Sequence, residues 1–213
     1  MSINSFDERA ATWDDDPAKV ERAEEVALAV RATVPLDRSL RMLEYGAGTG
    51  LVTQALRDSV GPVTMADTSV GMRKVMEDKI AAGVITGARV WAVDLATEPV
   101  PDEQFDLVVT VMTLHHIPHL EPVLGSFANL LAEGGHLCIV DLEEEDGSFH
   151  ADGFDGHHGF NRTALAASLG HAGFSDVKFQ RCHQVVRDGV VYPLFLATCV
   201  RHRDDAARDM THL

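Results

Sequence analysis

The apolar positions of the chain fall into short, almost unbroken runs that alternate with stretches of helical spacing. A run such as Phe105–Met112 (FDLVVTVM) is typical of a strand buried on both faces of a sheet. The predicted strands are Leu40–Tyr45, Pro62–Asp67, Ala88–Asp94, Phe105–Met112, His136–Leu142, Phe174–Cys182 and Leu194–Arg201. The predicted helices are Pro17–Ala32, Leu51–Ser59, Val70–Ala82, His119–Ala132 and Arg162–Ala172.

Local signals support several of these helix ends. The acidic residues before Pro17 suit a helix start, and Asn161 is a typical N-cap residue. Gly83 is expected to end the third helix, and the pair Gly134-Gly135 is expected to end the fourth.

The order of these elements predicts an α/β fold. Strands and helices alternate up to residue 172, which implies a doubly wound, mostly parallel sheet with right-handed crossovers. The last two strands have the turn Asp188-Gly189 and no helix between them, so we expect them to pair antiparallel. We therefore predict one sheet of seven strands with a C-terminal antiparallel hairpin.

Length and charge narrow the class of protein. The 213 residues suit one domain, which we divide into an N-terminal helical segment (1–36) over the binding site and one globular unit (37–213). The net charge of −15 argues against a nucleic-acid partner, which would require clustered Lys and Arg. No apolar run spans a bilayer, and Met1–Arg9 lacks the core of a secretory signal. We expect a cytoplasmic protein without a membrane partner, and its oligomeric state stays open.

The chain contains three cysteines, at positions 138, 182 and 199. They have neither pairing partners nor metal-ligand spacing, which predicts reduced, buried thiols. A catalytic cysteine is the alternative.

The stretch Glu44–Gly50 (EYGAGTG) follows the first predicted strand, at the sheet edge where α/β proteins bind ligands. Glycines there let the backbone approach a ligand closely. The dinucleotide fingerprint G-x-G-x-x-G requires a glycine where this chain has Leu51. Asp67 and Asp94 end the next two strands, so three carboxylates are expected around one crevice. The pattern favours a cationic nucleoside over a pyrophosphate.

Five segments together resemble the ordered motifs of class I S-adenosylmethionine-dependent methyltransferases. These segments are Glu44–Gly50, Asp67–Met72, Ala92–Leu95, Phe105–His116 and Leu130–Leu137. The resemblance covers roughly residues 38 to 200 and includes the terminal hairpin. It implies a Rossmann-like sheet, S-adenosyl-L-methionine as cofactor and S-adenosyl-L-homocysteine as product.

The resemblance also implies a cofactor site. Gly46, Ala47, Gly48 and Gly50 would pass close to the methionine and ribose, with Glu44 near the cationic end. The remaining implied contacts are Asp67 to the ribose hydroxyls, Thr68 and Met72 on the adenine face, Asp94 and Leu95 at the adenine edge, and Val111 beside the sulfonium. An N-terminal aromatic residue, Trp13 or Phe6, would help to close the site.

Eleven histidines are a high number for this length, and many of them fall in two groups. His115, His116 and His119 form H-H-x-x-H, and His150, His157 and His158 lie in the stretch after the fifth predicted strand. Imidazole can serve as a proton acceptor or as a metal ligand. We predict His116, His157 and His158 as candidate catalytic residues and no metal site, although a metal role is the alternative.

The acidic surface favours a small-molecule acceptor that receives the methyl group by in-line displacement. The accepting atom is not readable from the sequence. Two alternatives are a non-catalytic S-adenosylmethionine-binding module and an NAD(P)-dependent oxidoreductase.

Overall fold

The computed structural model describes residues 3–151 and 153–202. Within these residues, six segments are α-helical: α1 (Ile3–Arg9), α2 (Pro17–Thr33), α3 (Leu51–Leu56), α4 (Val70–Ala81), α5 (Leu120–Leu130) and α6 (Arg162–His171). The strands are β1 (Met42–Tyr45), β2 (Val63–Ala66), β3 (Ala88–Trp91), β4 (Phe105–Val111), β5 (Leu131–Leu142), β6 (Phe174–Arg187) and β7 (Val190–Arg201). Two 3₁₀ helices cover Ala10–Asp15 and Leu114–His116.

The strands form one sheet in the order β3-β2-β1-β4-β5-β7-β6. The pairs from β3 to β5 are parallel, and β7 pairs antiparallel with both β5 and β6. The predicted seven-stranded, doubly wound sheet with a C-terminal hairpin is therefore confirmed. Strand order reverses between β1 and β4, so the carboxyl ends of these two strands flank the point where such sheets bind ligands.

Both faces of the sheet are covered by helices. Neighbouring residues of β1 point to opposite sides: Met42 belongs to the apolar cluster under α2, α3 and α4, and Leu43 to the cluster under α5 and α6. Both side chains are fully buried. Burial on two faces explains why the central strands read as continuous apolar runs.

The helix starts follow the local signals. Asp16 caps α2 by accepting a hydrogen bond from Ala18 N, with Pro17 as the first helical residue. Asn161 caps α6 through bonds from two backbone amides of the first turn. Among the helices of the described residues, none is long and apolar enough to cross a bilayer.

The boundary between α5 and β5 differs from the prediction. The helix already ends at Leu130, and Leu131 pairs with Phe105 as the first residue of β5. The next pair in the register is Leu107 with His136, so the intervening residues of β5 form an irregularity. The glycine pair at positions 134 and 135 lies inside this irregular stretch and does not end the helix.

The terminal hairpin is longer than predicted. Residues 184–187 of β6 pair with residues 190–193 of β7 around the turn at Asp188 and Gly189. Polar residues at His183 and Gln184 interrupt the apolar run, but an edge strand of the sheet needs only one buried face. The cysteine prediction holds for two of the three thiols: Cys138 and Cys199 are buried, whereas Cys182 is half-buried.

Candidate functional site

The loop between β1 and α3 takes a left-handed conformation at each glycine. The φ angles are +71° at Gly46, +57° at Gly48 and +80° at Gly50, a region that other residues rarely adopt. A Cβ on Gly46 would lie 2.2 Å from Thr113 Oγ1, so this backbone is pressed against the segment after β4. A Cβ on Gly48 would meet only Trp13 Nε1, at 4.0 Å, because this glycine borders a cavity.

Glu44 lies at the base of the loop with 2% of its surface exposed. Its Oε2 accepts hydrogen bonds from the backbone amide of Thr53, at 3.0 Å, and from the Thr53 hydroxyl. Burial raises the pKa of Glu44 to about 7, although the Thr53 bonds act in the opposite direction. The carboxyl group thus ties β1 to the first turn of α3 and also borders the cavity.

Asp67, directly after β2, connects the glycine loop to the next helix. Its Oδ2 accepts a hydrogen bond from Gly48 N at 2.8 Å, and its Oδ1 accepts one from Ser69 N at 2.9 Å. Burial raises the pKa of Asp67, whereas these two amide bonds lower it. Each carboxylate oxygen has a second lone pair, so Asp67 can still accept hydrogen bonds from a ligand.

Asp94 lies after β3, where its carboxylate organises the following turn. Its Oδ1 accepts a bond from Ala96 N at 3.0 Å, and its Oδ2 one from Thr97 Oγ1 at 2.9 Å. The Tyr45 hydroxyl lies 3.5 Å from Asp94 Oδ1 and accepts a bond from Leu95 N at 3.2 Å. Tyr45 therefore links the ends of β1 and β3, a contact that the sequence analysis missed.

The N-terminal elements lie over these strand ends. The rings of Phe6 and Trp13 have centroids 6.0 Å apart, and the Lys19 ammonium lies 4.2 Å from the Trp13 ring centroid. Asp7 fixes α1 to the start of α4 because its Oδ1 accepts bonds from Ser69 Oγ and, at 2.8 Å, from Gly71 N. The segment before α2 thus forms a wall of the cavity.

The cavity has a volume of about 690 Å³ and opens at the carboxyl ends of the central strands. It brings together most residues of the predicted site. Those that line it are Phe6, Trp13, Glu44, Gly46, Ala47, Gly48, Asp67, Thr68, Met72, Asp94, Val111 and His116. Those that do not are Gly50, Leu95, His157 and His158.

Gly50 and Leu95 face the apolar core. A Cβ on Gly50 would lie 2.9 Å from Met65 Sδ and 3.0 Å from Ile85 Cδ1, so this glycine permits close packing. The Leu95 side chain is 1% exposed and belongs to the cluster under α5 and α6. Neither residue therefore lines the cavity, and both pack into the core beside it.

His157 and His158 are bonded outside the cavity. The amide of His157 donates to His115 O at 2.7 Å, and its Nε2 lies 3.0 Å from Ile117 O. His158 Nδ1 lies 3.3 Å from Glu145 Oε1, and its side chain is 46% exposed. These histidines support the segment that carries them and do not face the cavity.

The cavity wall also includes a half-buried cation that the sequence analysis missed. Arg22, on α2, borders the cavity, and burial lowers its pKa while Asp16 and Asp141 counteract this effect. Its guanidinium remains charged at any ordinary pH. A single arginine on a predicted helix resembles a surface residue, so no local signal could have identified it.

The residues of the cavity fit S-adenosylmethionine. Carboxyl groups at the ends of β1, β2 and β3 would repel a pyrophosphate, but they suit hydroxyl groups and a positive sulfur. Gly48 leaves space that a side chain would fill. The cavity volume is within the range of cofactor sites, which is roughly 300–1,000 Å³.

Comparisons with known proteins agree with this geometry. A family model described as "Methyltransferase domain" matches residues 18–179. The ubiquinone/menaquinone biosynthesis C-methyltransferase UbiE of Stutzerimonas stutzeri is 30% identical over 121 residues, which are 55% of this chain and 47% of that protein. The chain thus spans about half the length of this relative.

Two solved structures show the same fold. The N-methyltransferase NodS from Bradyrhizobium japonicum, in complex with S-adenosylhomocysteine, has a TM-score of 0.72 at 19% identity and covers 94% of this chain and 98% of its own. Phosphoethanolamine N-methyltransferase 2 from Haemonchus contortus, in complex with phosphomonomethylethanolamine and S-adenosylhomocysteine, has a TM-score of 0.71 at 14% identity, with coverages of 95% and 61%. Since the family model covers most of the chain, this protein belongs to the class I S-adenosylmethionine-dependent methyltransferases.

Proposed function

We propose that the protein transfers a methyl group from S-adenosylmethionine to a small-molecule acceptor by in-line displacement. The observation that carries this proposal is the shape of the cavity. It runs from the glycine loop to His116 and Arg22 and lies under the N-terminal helices. A site enclosed in this way suits a small molecule better than a large one.

The proposed cofactor contacts follow from the positions of the lining residues. Asp67 accepts hydrogen bonds from the ribose hydroxyls, Asp94 binds at the adenine edge, and Met72 packs on the ring. Gly46, Ala47 and Gly48 let the backbone pass close to the methionine portion. Trp13 and Phe6 exclude water from the same space.

Methyl transfer needs little chemistry from the protein beyond alignment and water exclusion. The bound cofactor supplies an electrophilic methyl group on a positively charged sulfur. We assign no general base: His157 and His158 do not line the cavity. His116 does, but burial and the neighbouring imidazoles lower its pKa to about 3, which makes it a weak base.

Arg22 indicates the kind of acceptor or cofactor group that binds nearby. It is a half-buried cation beside the cavity, and a cation partly withdrawn from water is stabilised by an anionic partner. We propose that it binds a carboxylate or phosphate oxygen of a ligand, since guanidinium groups suit both.

A thermal shift measurement tests the cofactor. S-adenosylhomocysteine should raise the melting temperature, because a ligand that binds only the native state stabilises it. NADH should leave the melting temperature unchanged. Stabilisation by NADH alone would contradict the proposal.

The Asp67→Ala variant tests the site itself. Loss of a charge-assisted bond should cost about 1.5–3 kcal/mol, which weakens S-adenosylhomocysteine binding roughly 10- to 150-fold in calorimetry. Asp78→Ala is the control, because the Asp78 carboxylate is exposed and pairs with Lys74 on the surface of α4. Equal affinities in the two variants would remove Asp67 from the site.

A screen of small acceptors with methyl-labelled cofactor separates the enzyme from a non-catalytic binding module. The proposal predicts label transfer to at least one small molecule and none to nucleic acid. Transfer to a macromolecule alone would contradict it.

A further inference from the structure

Three imidazoles meet on one wall of the cavity. His115 and His116 come from the 3₁₀ helix after β4, and His150 comes from the segment after β5. One potential ligand atom from each ring lies within 4.8 Å of the other two. The rings are also in aromatic contact, with centroid separations from 4.1 Å to 5.3 Å.

Ring nitrogens in this group lack protein partners. Nδ1 of His116 and both ring nitrogens of His150 are buried without a hydrogen bond to the described residues. Burying such groups unpaired is costly. His150 stacks on Phe154 at a centroid distance of 3.7 Å, and phenylalanine would give this packing without that cost. The polar rings are therefore explained better by a ligand than by packing.

The third histidine is held in a fixed orientation. His115 Nδ1 lies 2.6 Å from Asp141 Oδ1, and both side chains are at most 1% exposed. Asp141 is itself held by a bond from Leu142 N at 2.8 Å. A carboxylate bonded to one ring nitrogen, with the other nitrogen left to a metal, is the usual support of metal-binding histidines.

We propose that His115, His116 and His150 bind one divalent transition-metal ion of the Zn²⁺ type. Three nitrogen ligands match the protein share of an open zinc site, in which the fourth position stays accessible. Because all three histidines border the cavity, that position would face the space proposed for the acceptor. A hydroxyl or thiol of the acceptor could bind there.

This inference departs from the sequence-based expectation of no metal site. The H-H-x-x-H pattern places His119 beside the first two histidines, but His119 is exposed at the start of α5. The third member of the cluster comes instead from a segment more than thirty residues further along the chain.

In a tetrahedral site with metal–nitrogen distances of about 2.0–2.1 Å, the ligand atoms would lie about 3.3 Å apart, so small side-chain rotations would close the site.

Zinc titration of the full chain tests the proposal. The protein is freed of affinity tags and stripped with a chelator, and Zn²⁺ is added in a calorimeter without cofactor or acceptor. We expect one tight equivalent and a higher melting temperature with Zn²⁺. Because no methyl transfer is measured, failure here would leave the proposed function untouched.

The key variant is His150→Phe, which keeps the stacking on Phe154 but removes both ring nitrogens. It should fold and should bind Zn²⁺ more than roughly tenfold more weakly. The control is His119→Ala, from the same sequence motif, which is exposed at the start of α5 and should bind Zn²⁺ like the wild type. If the wild type binds Zn²⁺ no more tightly than His150→Phe, or if the control loses the tight equivalent, the proposal is overturned.

Discussion

At the scale of the residue, Glu44 shows how one buried carboxyl group can serve two purposes. It holds the first turn of α3 through Thr53 and borders the cavity proposed for a cationic cofactor. In an apolar surrounding the neutral form is favoured, which is why its pKa rises to about 7. A positive ligand would favour the charged form.

The raised pKa of Glu44 predicts a pH-dependent stability. The folded-state pKa of about 7 exceeds the ordinary glutamate value of 4.5, so the native state binds the proton more tightly than the unfolded state. The resulting stability is full below about pH 4.5 and is lost as pH rises through about 7. From about pH 5 to about pH 8, this loss of unfolding free energy amounts to about 2–3 kcal/mol.

Glu44→Gln should remove this dependence, since glutamine keeps the shape and can still accept bonds from Thr53. Urea denaturation of both proteins at the two pH values gives the difference in unfolding free energy. Subtracting the pH-dependent loss of the variant from that of the wild type removes the contributions of other groups, such as Asp67. If the two proteins lose stability in parallel, Glu44 is not the group responsible.

The sequence could predict which residues border the cavity where those residues lie at the end of a recognisable strand. Glu44, Asp67 and Asp94 each follow a recognisable strand, and parallel strands bring their carboxyl ends to one edge. The same reasoning failed to separate Gly50 and Leu95 from their neighbours. The tertiary structure decides which residues beyond a strand end face the cavity: Leu95 packs into the core under α5 and α6, and Gly50 lies against Met65 and Ile85.

At the scale of the element, α1 is fixed to α4 by a close approach at Gly71. A Cβ there would lie 2.8 Å from Asp7 O and 2.9 Å from Asp7 Cα. Both contacts are to backbone atoms, which cannot move without moving the helix. A side chain at this position would therefore push α1 away from the cavity.

Gly71→Ala should consequently weaken S-adenosylhomocysteine binding while favouring the helical state of α4 itself. Alanine is better than glycine in a helix interior by about 0.5–1 kcal/mol. Hydrogen exchange should show faster exchange in α1, and calorimetry should show the weaker affinity.

Gly170→Ala, in α6, is the matched control. A Cβ at Gly170 would have no neighbour within 4 Å, so this variant should gain stability and bind the cofactor product normally. If Gly71→Ala also binds normally, α1 is not needed to close the cavity.

Elements with apolar periodicity could be predicted, and those without it could not. The polar, acidic sequence of Ile3–Asp15 carries no clear helical pattern, and its helices depend on contacts such as Asp7 with Ser69. The predicted start of β5, at His136, was wrong for a related reason. The glycine pair at 134 and 135 has the signature of a helix end, but it lies in an irregular stretch of the strand that begins at Leu131.

At the scale of the whole molecule, the N-terminal region has two parts. Helix α2 belongs to the core, with Val26, Ala27 and Val30 fully buried. The preceding residues lie over the cavity and contribute Phe6 and Trp13 to its wall. We propose that the covering role predicted for 1–36 belongs to the part before α2.

Two deletions test this division. Removal of residues 1–15 keeps Asp16 as the cap of α2, so the protein should fold while its affinity for S-adenosylhomocysteine falls at least roughly tenfold. Removal of residues 1–36 should prevent folding, because each buried valine stabilises the fold by about 1.5–3 kcal/mol, a large share of a typical total. Circular dichroism and calorimetry measure the two effects. A folded 37–213 fragment that binds the product normally would contradict the division.

Sequence alone was enough to predict the sheet, the hairpin and the strand ends at which Glu44, Asp67 and Asp94 line the cavity. Burial on both faces requires continuous apolar runs, and the left-handed backbone after β1 favours glycine at positions 46, 48 and 50, so the local sequence carries both features. The tertiary structure alone decided that His150 joins His115 and His116, that Arg22 reaches the cavity, and that Leu95 does not. Contacts between distant segments depend on how helices and loops pack over the sheet, and no local pattern contains that information.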